Sequence, residues 1–214
     1  MSVRILGICG SPIPNGNTQK YLEWTLRKAE EEAGVETEWI ALAGKEIQDC
    51  RHCNWCVRKQ EEGRFCALED DMQEIYPRLL SADALLLATP VYIGRLSGYL
   101  AAFMDRLRVF IHGNLYGGAL RDKVGGALAV GWFRHTGVES ALQSIVLGFL
   151  IYQMIPAGSL GCPWGAAALA SEGGTGRFSK ERRYAVLEDD YGLQSARNLV
   201  GRVVSLARSL RQRE

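Results

Sequence analysis

The sequence predicts a doubly wound α/β fold, a five-stranded parallel sheet wrapped on both faces by helices. Five short apolar runs alternate with five stretches whose apolar residues recur at every third and fourth position, the order that builds strand–helix–strand units with right-handed crossovers. The best of these runs, "DALLLAT" at 83–89, is apolar throughout rather than alternating, as expected of a strand buried on both faces. With 214 residues, 47% hydrophobic and 23% charged, the chain is large enough to close one core. Residues 1–214 are expected to form a single domain, with a cysteine-rich insertion at about 48–70.

Taken in order, "VRILGIC" (3–9) is the first strand and ends at Gly10-Ser11-Pro12. From Thr18 the period becomes helical, with Leu22, Leu26, Ala29 and Ala33 on one face. "VETEWIAL" (35–42) is the second strand, and a helix near 70–81 follows the cysteines. The third strand, 83–89, leads into a loop from Pro90 to Ser97. Then Leu96, Tyr99, Leu100, Phe103, Met104, Leu107 and Phe110 mark an amphipathic helix. "KVGGALAVG" (123–131) is the fourth strand, and Thr136-Gly-Val-Glu139 has the form of a capping box for the helix carrying "ALQSIVLGFLIY". A fifth short strand near 153–158 precedes a loop rich in Gly and Ala. The last helix turns Leu193, Ala196, Val200, Val203 and Leu210 inward and leaves Arg197, Arg202, Arg208 and Arg211 to solvent.

A formal net charge of +1 gives no broad attraction to nucleic acid or to an anionic membrane, so recognition falls to a local site and a small molecule. The N-terminus lacks the apolar core and cleavage pattern of a signal peptide, and "SIVLGFLIY" (144–152) is far below the roughly 20 residues of a membrane helix. A cytoplasmic protein is expected. No Ser-His-Asp or paired-carboxylate arrangement stands out.

In folds of this class ligands bind beyond the carboxyl ends of the strands, which directs attention to the loops after strands one, three and four. "GICGSPIPNGNTQK" runs from the first strand into the first helix, where orphan N–H groups and the helix dipole favour a phosphate. It has neither the G-x-G-x-x-G spacing of a dinucleotide site nor a P-loop ending. It offers Ser11, Asn15, Asn17 and Thr18, short donors that suit the terminal phosphate of a monoester such as FMN; the plainer alternative is a polar turn with Asn17 as helix N-cap. The loop after strand three places Pro90, Tyr92 and Gly94 where backbone amides could meet the edge of a flat heterocycle, although Tyr92 could equally be packing.

Four cysteines, Cys50, Cys53, Cys56 and Cys66, lie within seventeen residues in "DCRHCNWCVRKQEEGRFC". In a reducing compartment a disulfide knot is disfavoured, leaving an iron–sulfur cluster, zinc or free thiols. Three ligands in one C-x2-C-x2-C run favour a [4Fe–4S] cube, since structural zinc usually draws two pairs from separate knuckles. Arg51, Arg58, Lys59 and Arg64 are placed to offset the thiolate charge. Cys162 is a fallback fourth ligand, Cys9 a core residue and His52 a surface residue. "SKERRY" (179–184), able in principle to grip a 2′-phosphate of NADPH, reads as exposed charge.

"GSPIPNGNT", "ATPVYIGRLSGYLAAFMDR", the cysteine loop running into "EDDM", and "AVGWFRHTGVES" stand in an order that resembles the NADPH-dependent FMN reductase superfamily, and the cysteines resemble those of its iron–sulfur flavoprotein branch. The resemblance spans residue 3 to about 204. It implies a flavodoxin-like three-layer α/β/α sandwich of strand order 2-1-3-4-5, and FMN at the sheet's carboxyl edge. It also implies a homodimer or homotetramer whose subunits share the site. By position, Ser11, Asn17 and Thr18 would hold the phosphate, Pro90, Val91, Tyr92, Ile93 and Gly94 would line the flavin, and Gly131, Trp132 and Arg134 would close its far side. Ile13 departs from the family, which often carries Arg there. The activity expected is an FMN-dependent oxidoreductase passing electrons between FMN and the cluster, with NAD(P)H a possible donor and a small molecule or ferredoxin-like protein as partner. The alternatives are a cluster-free NAD(P)H-dependent flavin or quinone reductase, and a non-enzymatic flavodoxin-like carrier.

Overall fold

A computed structural model of the chain describes residues 2–177 and 181–212. Its strands are β1 (Val3–Cys9), β2 (Val35–Ala41), β3 (Ala84–Pro90), β4 (Val124–Gly131), β5 (Ile155–Ala157) and β6 (Ala166–Leu169). The path is β2-β1-β3-β4-β5, parallel throughout, the order that the resemblance implied. The fifth position is shared: β5 pairs with Val124–Gly126 and β6 with Leu128–Gly131, so the Gly- and Ala-rich stretch expected as loop in fact resumes the sheet.

Helices α1 (Asn17–Glu30) and α6 (Asp190–Arg211) cover one face; α3 (Met72–Ser81), α4 (Gly98–Arg106) and α5 (Val138–Ile151) cover the other. A four-residue helix, α2 (Trp55–Arg58), lies in the cysteine loop. Successive strand residues go to opposite faces: Ala84, Leu86 and Ala88 pack with Leu22, Leu26, Leu199 and Val203, while Leu85 and Leu87 pack with Leu100, Phe103 and Ile145. Among the described residues no helix is long and apolar enough to cross a membrane.

Several local expectations are corrected. Helix α1 stops at Glu30, so Ala33 lies exposed in the turn before β2. Tyr99 faces outward, and α4 tightens into a 3-10 turn over Leu107–Phe110. The capping box at Thr136 does not form: Gly137 takes the cap position, and the Thr136 hydroxyl turns back to donate to the Phe133 carbonyl. Arg197 and Arg202 are exposed as expected, but three of the four α6 arginines also make ion pairs. Arg197 pairs with Glu31 and Arg208 with Glu32, both at 3.3 Å, and Arg211 with Asp83, stitching α6 to the turns before β2 and β3.

Candidate functional site

The loops after β1, β3 and β4 meet at the carboxyl edge of the sheet. Gly10 is where the first two touch: a Cβ there would stand 2.6 Å from the Leu100 Cβ, so only glycine lets the β1 loop lie against α4. One hydroxyl then joins them. Ser97 Oγ donates to the Gly10 carbonyl at 2.5 Å and accepts from the Leu100 amide at 3.1 Å as the α4 N-cap, while the Ser97 amide donates to Thr89 Oγ1 at 2.9 Å.

Helix α1 begins without a capping side chain and without an acidic residue in its first turn; its N-cap is Gly16, not Asn17. Its first N–H groups are therefore left for an external acceptor. Around them, Ser11 is buried and exchanges hydrogen bonds with the Ile13 amide and carbonyl, Asn15 holds a left-handed backbone (φ 53°) with its amide on Gln19 Oε1, and Thr18 is buried. Asn17 is committed elsewhere: its Nδ2 donates to the Arg183 carbonyl and its Oδ1 accepts from the Val186 amide, which brings the 183–186 segment alongside this loop. Ile13 is exposed, and the cations nearby are Lys20, paired with Glu23, and Arg183.

Beyond β3, Val91 still pairs with β4, its amide on the Val130 carbonyl, and Tyr92 and Arg95 close a two-residue turn in which Ile93 (φ 48°) and Gly94 (φ 74°) are both left-handed. Ile93 is 97% exposed at its tip. Burial pushes the Tyr92 hydroxyl above its usual range. The β4 loop leans on this turn. A Cβ at Gly137 would lie 2.4 Å from the Gly94 carbonyl oxygen. Gly131 is buried; Trp132 donates from Nε1 to the Gly176 carbonyl; Arg134 is held through its amide to Gly174 and its Nη2 to Gly173. The exposed faces of Tyr92 and Trp132 thus come from two loops in direct contact.

The loop after β2 carries the cysteines, and one buried ion pair closes its base. Arg106, at the end of α4, binds Asp70 with both Nη atoms, at 2.5 and 3.1 Å, and Nη1 also donates to the Gln48 carbonyl at 2.9 Å. The two side chains are 1% and 2% exposed. Asp70 accepts in addition from the Gln48 and Met72 amides, so residues 48 and 70 are drawn together. Burial alone would raise the Asp70 pKa; Arg106 and the amides outweigh it and hold the carboxyl below its ordinary value. Farther out, Gln60 bonds the Phe65 and Val109 carbonyls, and Phe65 stacks on Tyr116 at 4.3 Å.

His52 and Asn54 have φ of 50° and 58°, a left-handed conformation that these residue types tolerate. The chain thereby doubles back between cysteines, and Cys50, Cys53, Cys56 and Cys66 line one recess together with Arg106 and Arg108. Among the described residues, no three His, Cys, Asp or Glu side chains converge tightly enough to hold a single metal ion. Burial raises the Cys56 thiol pKa, and the nearby Arg108 cation opposes this. Cys162 lies in the Ser159–Cys162 turn, away from the recess, and Cys9 is a core thiol pushed up to about 11 by burial. The expected charge offset holds in part. Arg51 lines the recess and reaches Gln48, Arg64 lies 5.0 Å over the Trp55 ring, and Arg58 and Lys59 are exposed; buried Arg106 and half-buried Arg108, from outside the cysteine loop, line the recess as well. Of "SKERRY", Ser179 and Lys180 lie outside the described residues; Arg182 pairs with Glu172 and Glu188.

A cleft of about 710 Å³ is lined by Lys45, Ile47, Gln48, Gly98, Tyr99 and Ala102, from the stretch before the cysteines and the start of α4.

The family model described as NADPH-dependent FMN reductase matches residues 3–165. An iron–sulfur flavoprotein of Methanocaldococcus jannaschii is 39% identical over 210 residues, 98% of this chain and 100% of that protein. An iron–sulfur flavoprotein of Methanosarcina thermophila is 38% identical over 73% of this chain and 78% of its own. Among solved structures, RosB with a bound formylriboflavin phosphate intermediate superposes with a TM-score of 0.76 at 20% identity, covering 99% of this chain and 81% of that one. This chain belongs to the NADPH-dependent FMN reductase family, in its iron–sulfur flavoprotein branch.

Proposed function

We propose that this flavin-dependent oxidoreductase holds FMN on the β1, β3 and β4 loops and a [4Fe–4S] cluster on Cys50, Cys53, Cys56 and Cys66, and that electrons pass between the two. The observation that carries the reading is the shared recess of the four cysteines, set at the same sheet edge as an uncapped helix N-terminus. Thiols spread around a recess suit a cube, each of whose irons takes one sulfur; zinc would draw them to about 2.3 Å from a single point. FMN when bound exchanges one or two electrons and such a cluster one, so together they join a two-electron donor to a one-electron acceptor.

The chain's own part is binding, orientation and exclusion of water. The first amides of α1, with Ser11, Thr18 and Asn15, would take the phosphate, and Asn17 would contribute its backbone N–H, since its amide group holds residues 183–186. Backbone groups of Pro90, Val91, Tyr92, Ile93 and Gly94 would meet the ring edge, and Trp132, with Gly131 and Arg134, would bound its far side. NADPH is the donor class that the family description favours. A homodimer or homotetramer accords with the exposed Leu147, Leu150 and Ile151 on one face of α5. Anaerobic purification with iron, sulfide and flavin counts, followed by EPR of the reduced protein, tests the whole. Four irons and one FMN per chain are expected; FMN without iron would leave a quinone-reductase-like enzyme, and protein that takes up no FMN would defeat the reading.

A further inference from the structure

We propose that Arg106 Nε and Arg108 Nη1 donate hydrogen bonds to the sulfurs of the cluster held by Cys50, Cys53, Cys56 and Cys66, and that the two guanidinium groups keep its reduction potential high. The inference rests on the cluster reading above and adds to it two residues from outside the cysteine loop.

Among the described residues, two buried side-chain polar atoms lack a hydrogen-bond partner, Arg106 Nε and Arg108 Nη1. Both arginines line the recess with the four cysteines. Buried donors are almost always satisfied, and an unsatisfied N–H on a cation is among the costlier exceptions, so two in one recess point to an acceptor that belongs there. The other ends of these side chains are tied down. Arg106 Nη1 and Nη2 are fixed on Asp70 and the Gln48 carbonyl, and Arg108 Nη2 donates to Asn54 Oδ1 at 2.8 Å. Because the guanidinium is planar, fixing one edge fixes where the remaining N–H groups sit. The Tyr76 hydroxyl beside Arg106 is engaged with the Arg106 carbonyl, and the sulfur atoms of the cysteines and of a bound cluster are the acceptors that the recess adds.

The electrostatic consequence has a definite sign. Reduction adds one negative charge to a cluster that is already anionic, and fixed cations with N–H groups on sulfur stabilise that form more than the oxidised one. Arginine stays protonated across the whole accessible pH range, so its contribution is constant. Solvated Arg58 and Lys59 are screened by water and salt and contribute far less.

The test is an EPR-monitored redox titration of the full chain loaded anaerobically with iron and sulfide. Arg108→Gln should lower the reduced-to-oxidised cluster ratio at a fixed potential about tenfold, a downward shift of about 59 mV for a one-electron couple. Arg108→Lys keeps the charge without the planar fork and should recover only part of it. Arg106→Lys keeps a cation for Asp70 but removes the Nε–H, and should move the midpoint in the same direction even if Arg108→Gln folds poorly. The FMN midpoint, read in the same titration, should stay in place. A wild-type cluster midpoint in Arg108→Gln and Arg106→Lys would overturn the proposal, leaving the two N–H groups to a bound water only. Equal downward shifts at FMN and cluster would overturn it as well, since a general structural change would then be the cause. Protein without iron would give no cluster midpoint, and that failure belongs to the cluster reading itself.

Discussion

Replacing Asp70 by Asn removes one charge from the pair that closes the cysteine loop while keeping the side chain's shape. Arg106, 1% exposed, is then left as a buried cation with only the Gln48 carbonyl and the one remaining side-chain oxygen to face it. Breaking a buried pair from one side costs about 3–5 kcal/mol, and the surviving acceptors place this variant near the lower end, at about 3 kcal/mol. For a domain of this size that is a fall in Tm of about 6–12 °C. Urea unfolding followed by circular dichroism measures it directly, and Arg106→Met in the Asp70→Asn background should add much less than it costs alone. The pH dependence carries a sign of its own. Because the Asp70 pKa is depressed in the folded state, its stabilisation is present in full above the unfolded value near 4 and is lost as pH falls through the lower folded value. The gap between wild type and Asp70→Asn should therefore narrow in acid. A loss below about 1 kcal/mol at neutral pH, or a gap that does not narrow, would refute the assignment of this pair as the clamp.

Three further outcomes are expected. Ser11→Ala with Thr18→Ala should weaken FMN retention, read by fluorescence of flavin released on dilution; unchanged affinity would remove those hydroxyls from the phosphate site. Gly137→Ala introduces a Cβ 2.4 Å from the Gly94 carbonyl at a φ of 95°, and should cost about 1–3 kcal/mol in stability and loosen flavin binding together, by urea titration and flavin fluorescence. Cys66→Ser should abolish the EPR signal of a reduced cluster while Cys162→Ser retains it, because Cys66 lines the recess and Cys162 does not; the reverse result would reassign the fourth ligand.

The strands that carry the sites were legible because their signal is a local one. Runs such as Ala84–Pro90 are apolar on both faces, and turn residues end each of them. Strand β6 was not, since "AAAL" has no β-branched or aromatic residue, and what makes it a strand is the β4 edge beside it and Gly192 of α6 above Ala168. The cysteine spacing was readable, and so was the need for cations around it, but of the four loop cations only Arg51 lines the recess, and Arg106 and Arg108 reach it from outside the loop. A helical-face reading turns arginines outward, and nothing within a few residues of Arg106 announces Asp70, thirty-six positions earlier, as its buried partner. Thr136 failed as a cap because the chain needs glycine's left-handed backbone one residue later, to pass beneath Gly94.

Helix α4 starts at the hydroxyl that joins the first two loops and finishes at the guanidinium under the cysteines. Nine residues at about 1.5 Å each make it a strut of about 13 Å. The spacing between the two ends of the working edge is thereby set by a count of helical residues, not by the looser geometry of either loop. Shortening or lengthening that strut by one residue would rotate Arg106 by about 100° away from the recess, so the interval from Ser97 to Arg106 tolerates substitution along its outer side but not insertion or deletion.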